Sequence, residues 1–215
     1  MKNIIYLLIL LLSACGGGNI DNISPNTTSS PLPPKQLSVS CLGDSETAGM
    51  IDTGTIDSSY SYCNKLSMPY PDGNPYKVSV VHNYATPSKD ITQVYNEQLP
   101  SLLANPTSVV VIMVGVNDSY HHVPIEVYKQ KYTSILSLVK SNGIIPVCLT
   151  TFPTHSELGI DTTEYDNYIL TLSSQGCTVL DVKPLYRISW GTSLHPTEQG
   201  YKDVSKALMN VLYML

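Results

Sequence analysis

Four short polar motifs each lie at or beyond the carboxyl end of a predicted β-strand. They are residues 43–46 (Gly-Asp-Ser-Glu), 83–85 (Asn-Tyr-Ala), 115–118 (Gly-Val-Asn-Asp) and 194–196 (Leu-His-Pro). Acyl transfer needs a nucleophilic hydroxyl, a base that takes its proton, and hydrogen-bond donors for the tetrahedral oxyanion. A serine, an amide and a histidine supply this set if the fold brings the strand ends together.

Alternating β-rich and helical segments predict how the motifs meet. Residues 109–114, Val-Val-Val-Ile-Met-Val, are apolar throughout, which is typical of a central parallel strand covered on both faces. The alternation predicts a doubly wound α/β/α sandwich, in which ligands sit beyond the carboxyl ends of the strands. The strand candidates are 37–42, 78–82, 108–114, 144–151 and 177–182, and the helical candidates are 59–66, 90–103, 124–141, 162–174 and 197–212.

The motifs resemble those of a known family, the SGNH (GDSL-type) hydrolases. The G-D-S motif of the family matches Gly43-Asp44-Ser45, its G-x-N-D motif matches residues 115–118, and its late histidine motif matches His195-Pro196. The order and spacing agree across essentially the whole folded domain, residues 37–215. The resemblance implies a three-layer α/β/α sandwich with a five-stranded parallel sheet in the flavodoxin-like arrangement.

The resemblance also implies a role for each matching residue. Ser45 would be the nucleophile, with His195 as its general base. The oxyanion hole would consist of the backbone N–H groups of Ser45 and Ala85 and the side-chain amide of Asn117. The family usually has glycine where Ala85 stands, but alanine keeps the N–H group. No metal and no organic cofactor is implied.

The chain departs from the family pattern three residues before the histidine. The family has D-x-x-H there, with the aspartate orienting the imidazole, whereas this chain has Thr192 at the aspartate position. Neutralising that aspartate in triad enzymes costs roughly 10^4-fold in rate. The threonine hydroxyl can accept the imidazole N–H, but it carries no charge. Glu46 and Glu198 are nearby in sequence, although spacing does not show that either reaches the ring.

The sequence therefore predicts a serine ester hydrolase that acts through an acyl-enzyme. Esterase, acylhydrolase and carbohydrate O-deacetylase activities all fit, with a small-molecule or glycan ester as substrate. The alternative is a catalytically silent SGNH-fold binding lipoprotein, because of Thr192. Lys+Arg of 12 against Asp+Glu of 17 gives a net charge of −5, which argues against a nucleic-acid partner. We expect a monomer.

The first residues are similar to a bacterial lipoprotein signal. Lys2 precedes an apolar run, residues 4–12, which is too short to span a bilayer, since a spanning helix needs about 20 residues. The run Leu-Ser-Ala-Cys resembles a lipobox, which implies cleavage before Cys15 and a diacylglycerol group on its thiol, with palmitate as an expected acyl chain. Residues 1–14 would be the signal peptide and 15–36 a Gly/Ser/Asn/Pro-rich tether. We expect a protein of the bacterial cell envelope that is anchored to a membrane through Cys15. The outer membrane is favoured, with the protein facing the periplasm or the cell surface.

Four further cysteines leave the redox state open. An even number in an exported chain permits two disulfides. Cys148 and Cys177 lie on neighbouring predicted strands, and Cys63 would have to approach Cys41 from the following helix. All four are equally consistent with buried thiols.

The remaining polar candidates each have a functional and a structural interpretation. The pair His121-His122 suggests a metal site, but adjacent histidines without acid or thiol partners are more typical of a polar loop. Asp44 and Asp118 are interpreted as residues that fix loops by capping N–H groups. The other candidates are His155 and Glu157, as cleft residues or a solvated loop, and Tyr60, Tyr62, Tyr70 and Tyr76, as a sugar-stacking face or ordinary packing.

Overall fold

The sheet of the computed structural model has five parallel strands in the order β2-β1-β3-β4-β5. They are β1 (Gln36–Gly43), β2 (Lys77–Asn83), β3 (Val109–Met113), β4 (Ile145–Leu149) and β5 (Thr178–Leu180). The structure describes residues 36–51, 54–67, 77–153, 159–185 and 194–215, all within the unit Pro33–Leu215. The strand order and the parallel pairing confirm the predicted flavodoxin-like α/β fold.

Helices lie between consecutive strands and after β5. The α-helices are α1 (Ser45–Ala48), α2 (Ile91–Gln93), α3 (Leu99–Ala104), α4 (Val116–Tyr120), α5 (Ile125–Ser141), α6 (Thr163–Thr171) and α7 (Glu198–Tyr213). A π-helix, Val94–Gln98, joins α2 to α3, and 3-10 turns lie at Asn64–Ser67, Leu172–Gln175 and Lys183–Leu185. Within the described ranges, no helix combines the length and apolar character that crossing a membrane requires.

The helix predicted at 59–66 was wrong. Turns occupy this segment until a single 3-10 turn begins at residue 64. Side-chain bonds hold it in this form, because the Ser61 hydroxyl donates to the Thr47 carbonyl at 2.7 Å and accepts the Cys63 N–H at 3.2 Å. Serine side chains that bond to the local backbone compete with helix formation.

The sheet separates two apolar cores. Alternate residues of a strand face opposite sides, so the buried strand β3 contributes to both. Val109 and Val111 belong to the core that includes α7 residues such as Tyr201 and Leu208. Their neighbour Val110 belongs to the core that includes α5 and α6. Helices on both faces complete the three-layer sandwich.

Two disulfides resolve the alternatives for the cysteines. Cys41 of β1 is bonded to Cys63, and Cys148 of β4 is bonded to Cys177, which directly precedes β5. The first disulfide ties the strand that leads into the G-D-S motif to the turn segment beyond it. The signal peptide predicted at 1–14 lies outside the described residues, as does the tether at 15–36, apart from Gln36, which begins β1.

Candidate active site

The structure brings Ser45 and His195 together, although 150 residues separate them along the chain. Ser45 is the first residue of α1, directly beyond β1, and His195 lies three residues ahead of α7. The Nε2 atom of His195 is 2.9 Å from the Ser45 Oγ. A histidine nitrogen at this distance can accept the hydroxyl proton, which is the geometry that activates a serine. The pair lies at the carboxyl edge of the sheet, next to the switch point between β1 and β3.

The turn that presents Ser45 is held by Asp44. The Asp44 Oδ1 accepts the N–H of Glu46 at 3.0 Å and thereby caps α1. The other carboxyl oxygen accepts from the Nδ2 of Asn117 at 3.1 Å. An amide nitrogen carries two hydrogens, so this bond orients the Asn117 side chain and leaves one hydrogen for a ligand.

Glycines make this turn tight. A Cβ atom on Gly43 would collide with the Thr47 side chain and with the Met113 carbonyl oxygen of β3. The helix ends at Gly49, whose φ of 91° is a conformation that side chains other than glycine rarely adopt. The run from Gly43 to Gly49 therefore sets the direction in which the serine leaves the sheet.

The backbone N–H of Ala85, one of the predicted oxyanion donors, bonds to a side chain at the end of β2. The Ala85 N–H donates to the Oδ1 of Asn83 at 3.1 Å. The Nδ2 of the same Asn83 side chain donates to the Thr47 carbonyl at 2.9 Å. A single rotamer of Asn83 therefore engages the Ala85 N–H and anchors the loop after β2. Further along this loop, Ser88 has a φ of 62°, and its N–H donates to no backbone carbonyl of the described residues.

Three buried carboxyl groups surround the turn. Burial raises the pKa of Asp44 to about 7 and that of Asp118 to about 8. Both oxygens of Asp118 accept the Ile91 N–H, at 3.1 and 3.2 Å. Burial, together with the neighbouring Asp44, raises the pKa of Glu46 well above its usual range. Asp44 and Asp118 thus fix loops, as the sequence predicts.

Neither of the two glutamates considered as orienting acids bonds to His195. The Oε2 of Glu46 accepts the Phe152 N–H at 3.4 Å, and its Oε1 has no partner among the described residues. Glu198 instead lies 2.8 Å from the Lys202 Nζ. Thr192, which holds the aspartate position of the family, lies outside the described residues.

The other polar candidates take ordinary structural roles where the structure describes them. His121 lies 3.4 Å from Asp90, and across the described ranges no three His, Cys, Asp or Glu residues group as a metal site would. Tyr62 is buried and its hydroxyl bonds to Thr47, and Tyr60 lies against Lys65. Tyr70, Tyr76, His155 and Glu157 lie outside the described residues.

One buried side-chain amide near the site was not predicted from the sequence. Gln98, at the end of the π-helix, is only 4% exposed and bonds twice to the backbone of Gly43. The signal that could have revealed it is a polar residue on an apolar helix face, since Val94 and Leu102, four residues to either side, are both buried.

A parallel α/β sandwich with a serine bonded to a histidine at its carboxyl edge has the arrangement of a serine hydrolase. The family model that describes the GDSL-like lipase/acylhydrolase family matches residues 41–202, and the chain belongs to this family. No protein of curated function matches the chain in sequence.

Solved structures of the same fold agree with this placement. A G-D-S-L family protein from Desulfitobacterium hafniense is 21% identical with a TM-score of 0.69, over 81% of this chain and 98% of that one. A lipase/acylhydrolase from Enterococcus faecalis is 15% identical with a TM-score of 0.66, over 81% and 94%. A carbohydrate acetylesterase family member from Sinorhizobium meliloti is 16% identical with a TM-score of 0.66, over 82% and 97%. At these identities the likeness establishes the fold.

Proposed function

We propose that the protein hydrolyses carboxylic esters through an acyl-enzyme on Ser45. The observation that carries this proposal is the 2.9 Å contact between the Ser45 Oγ and the His195 Nε2. As Oγ attacks the ester carbonyl, Nε2 takes the hydroxyl proton and then delivers it to the departing alkoxide. The same nitrogen next takes a proton from water as the water oxygen attacks the acyl-enzyme. It returns this proton to the Ser45 Oγ as the bond between Oγ and the acyl carbon breaks, which releases the acid.

The developing oxyanion needs donors aimed at it. The backbone N–H of Ser45 and the second hydrogen of the Asn117 amide supply two, and the bond from Asn117 to Asp44 supports the second by fixing the amide plane. The third donor comes from the loop after β2. For Ala85 to serve, its N–H must exchange the Asn83 oxygen for the substrate oxyanion.

The orienting role of the missing aspartate falls to Thr192 in this proposal. A hydroxyl that accepts the Nδ1–H of His195 keeps the ring in the tautomer that leaves Nε2 free to act as a base. The imidazolium formed during attack receives less stabilisation than from a carboxylate, so the enzyme would be slow. The alternative from a different class, a silent binding lipoprotein that retains the cleft, rests on the same substitution.

An ester panel with a serine variant tests the proposal. The purified protein is assayed on acetyl, butyryl and longer p-nitrophenyl esters and on acetylated polysaccharide, since small-molecule and glycan esters are both candidate substrates. We expect hydrolysis by the native protein and none by Ser45→Ala, with an intact fold by circular dichroism. The exposed Ser59 provides the matched control, Ser59→Ala, which should keep full activity. A native protein inactive on every ester would favour the silent binding protein.

We also propose that the protein is exported and held at a membrane of the bacterial cell envelope by lipid on Cys15. The support is the sequence alone: one positive charge, a short apolar run and a cysteine after Leu-Ser-Ala. More than one acyl chain would give stable anchoring, because each buried methylene contributes about 0.8 kcal/mol.

A further inference from the structure

Gly43, the last residue of β1, is paired with a strand on only one of its two sides. Gly43 lies opposite Met113 of β3, so this side of the strand is paired to its end. On the other side, the pairing of β1 with β2 stops at Cys41 opposite Asn83, two residues earlier. Beyond that point the chain continues as a loop, whose Thr86 N–H donates to the Gly43 carbonyl at 3.3 Å.

Gln98 completes the hydrogen bonding of Gly43 on this side, where it accepts the N–H and shares the carbonyl with Thr86. Its Oε1 accepts the Gly43 N–H at 2.9 Å, and its Nε2 donates to the Gly43 carbonyl at 2.8 Å. A carboxamide that accepts from the N–H and donates to the C=O of one residue reproduces the pairing of a neighbouring strand. The side chain thus continues the sheet by one residue past the end of β2.

The geometry of the helix supports this special placement. Gln98 is the last residue of the π-helix that interrupts the run from α2 to α3. A π-turn inserts an extra residue into an α-helix and rotates the side chains that follow, and such turns are frequent at functional sites. Here the amide is 4% exposed, and both of its polar atoms are used on the residue two positions before Ser45.

We propose that Gln98 is a positioning residue for the nucleophile. By bonding to both backbone polar groups of Gly43, it fixes the peptide units on either side of this residue, the second of which leads into Asp44. That peptide sets where the Ser45 N–H and Oγ point, and Ser45 contributes both an oxyanion donor and the attacking atom. The inference rests on the proposed ester hydrolysis and assigns to Gln98 the alignment of that site.

Three variants separate alignment from stability. Gln98→Leu removes both bonds at similar volume. Gln98→Glu keeps both only while the new carboxyl is protonated, because the ionised form has no hydrogen to donate to the Gly43 carbonyl. Thr107→Val is the matched control. Thr107 is buried at the opposite end of the sheet, where its hydroxyl donates to Ser40 of β1, the strand that ends at Gly43.

The expected result is a loss in kcat that stability does not explain. Gln98→Leu should lower kcat by about a hundredfold with KM nearly unchanged, since a nucleophile misplaced by about 1 Å costs that much. Gln98→Glu should gain a reversible fall in kcat towards alkaline pH that the native enzyme lacks. Thr107→Val should lower the melting temperature and keep kcat. Hydrogen exchange of the peptide that contains Gly43 should rise in Gln98→Leu above its rate in Thr107→Val.

Other results would overturn either the positioning role of Gln98 or the proposed ester hydrolysis. A folded Gln98→Leu with native kcat, or kcat losses in Gln98→Leu and Thr107→Val that both follow the melting temperature, would overturn the positioning role. A Gln98→Glu profile parallel to the native one would overturn it as well. A native protein that hydrolyses no ester would overturn the proposed function instead. Unchanged hydrogen exchange at Gly43 in Gln98→Leu would then also reject the role of Gln98 in holding Gly43.

Discussion

At residue 192 the chain carries a hydroxyl where the family has a carboxylate, and we predict that restoring the carboxylate raises activity. In Thr192→Asp the Nδ1–H of His195 would gain a charged acceptor, which stabilises the imidazolium formed during attack. We expect kcat/KM to rise about ten- to a hundredfold, equivalent to roughly 1.4–2.7 kcal/mol of transition-state stabilisation. Steady-state kinetics on a short-chain p-nitrophenyl ester measures it.

The control for this prediction removes the hydroxyl without adding charge. Thr192→Val should lower kcat/KM if threonine holds the histidine tautomer. If aspartate brings no gain and valine no loss, Thr192 is not the orienting residue. A backbone carbonyl would then be the next candidate, because Glu46 bonds to Phe152 and Glu198 bonds to Lys202.

The buried carboxyl of Glu46 should make stability fall as the pH rises. Burial raises its pKa in the folded protein above the unfolded value near 4.5, so the folded state binds the proton more tightly. The free energy of unfolding therefore decreases once the pH exceeds the unfolded pKa. The side chain in Glu46→Gln stays neutral. The melting temperature of this variant relative to that of the native protein should therefore rise between pH 5 and pH 9.

Comparing the two proteins measures the contribution of the Glu46 carboxyl together with its interaction with Asp44. Asp44 and Asp118, whose raised pKa values act in the same direction up to about pH 7 and 8, are present in both. Parallel melting curves for the native protein and Glu46→Gln across this pH range would contradict the prediction. They would mean that the Glu46 carboxyl ionises as readily in the folded state as in the unfolded chain.

The secondary-structure elements that carry the site were largely predictable from the sequence. Apolar β-branched runs and helical spacing are local patterns, so all five strands are within about two residues of the bounds predicted for them. Strand–helix alternation then implies parallel pairing, which brings Ser45 and His195 to one edge. The segment 59–66 was missed because its conformation depends on a disulfide and on a buried serine rather than on its own propensity.

The partners of buried side-chain amides were not predictable. Whether the Ala85 N–H is available depends on the rotamer of Asn83, and that rotamer depends on the Thr47 carbonyl of a distant segment. Likewise, Gln98 reaches Gly43 across 55 residues because β2 ends early and the helix contains a π-turn. No local pattern encodes either contact.

At the level of elements, the disulfide between Cys148 and Cys177 should stabilise the edge of the sheet. It closes a loop with a sequence separation of 29 residues, and a loop of that size is worth about 3.6 kcal/mol. We predict that Cys148→Ala with Cys177→Ala lowers the melting temperature by about 7–14 °C. Activity at 25 °C should persist, because the disulfide does not touch Ser45 or His195. An unchanged melting temperature under non-reducing conditions would argue against the disulfide.

At the level of the whole molecule, the anchor should decide where the protein fractionates. We predict that Cys15→Ser shifts the protein from the membrane fraction to the soluble fraction, because it removes the thiol proposed to carry the lipid. Immunoblots of the two fractions measure the shift. Cys148→Ala with Cys177→Ala is the control and should leave the protein with the membrane. Unchanged membrane association of Cys15→Ser would reject the lipobox interpretation.

The central claim is that Ser45 is a nucleophile activated by His195, and covalent labelling tests it directly. A fluorophosphonate forms a bond to an activated serine oxygen with loss of fluoride, and mass spectrometry of the digested protein locates the adduct. We predict one adduct, on the peptide that contains Ser45, with strongly reduced labelling in His195→Ala and none in Ser45→Ala. An adduct on a different serine, or labelling that persists in Ser45→Ala, would contradict the account.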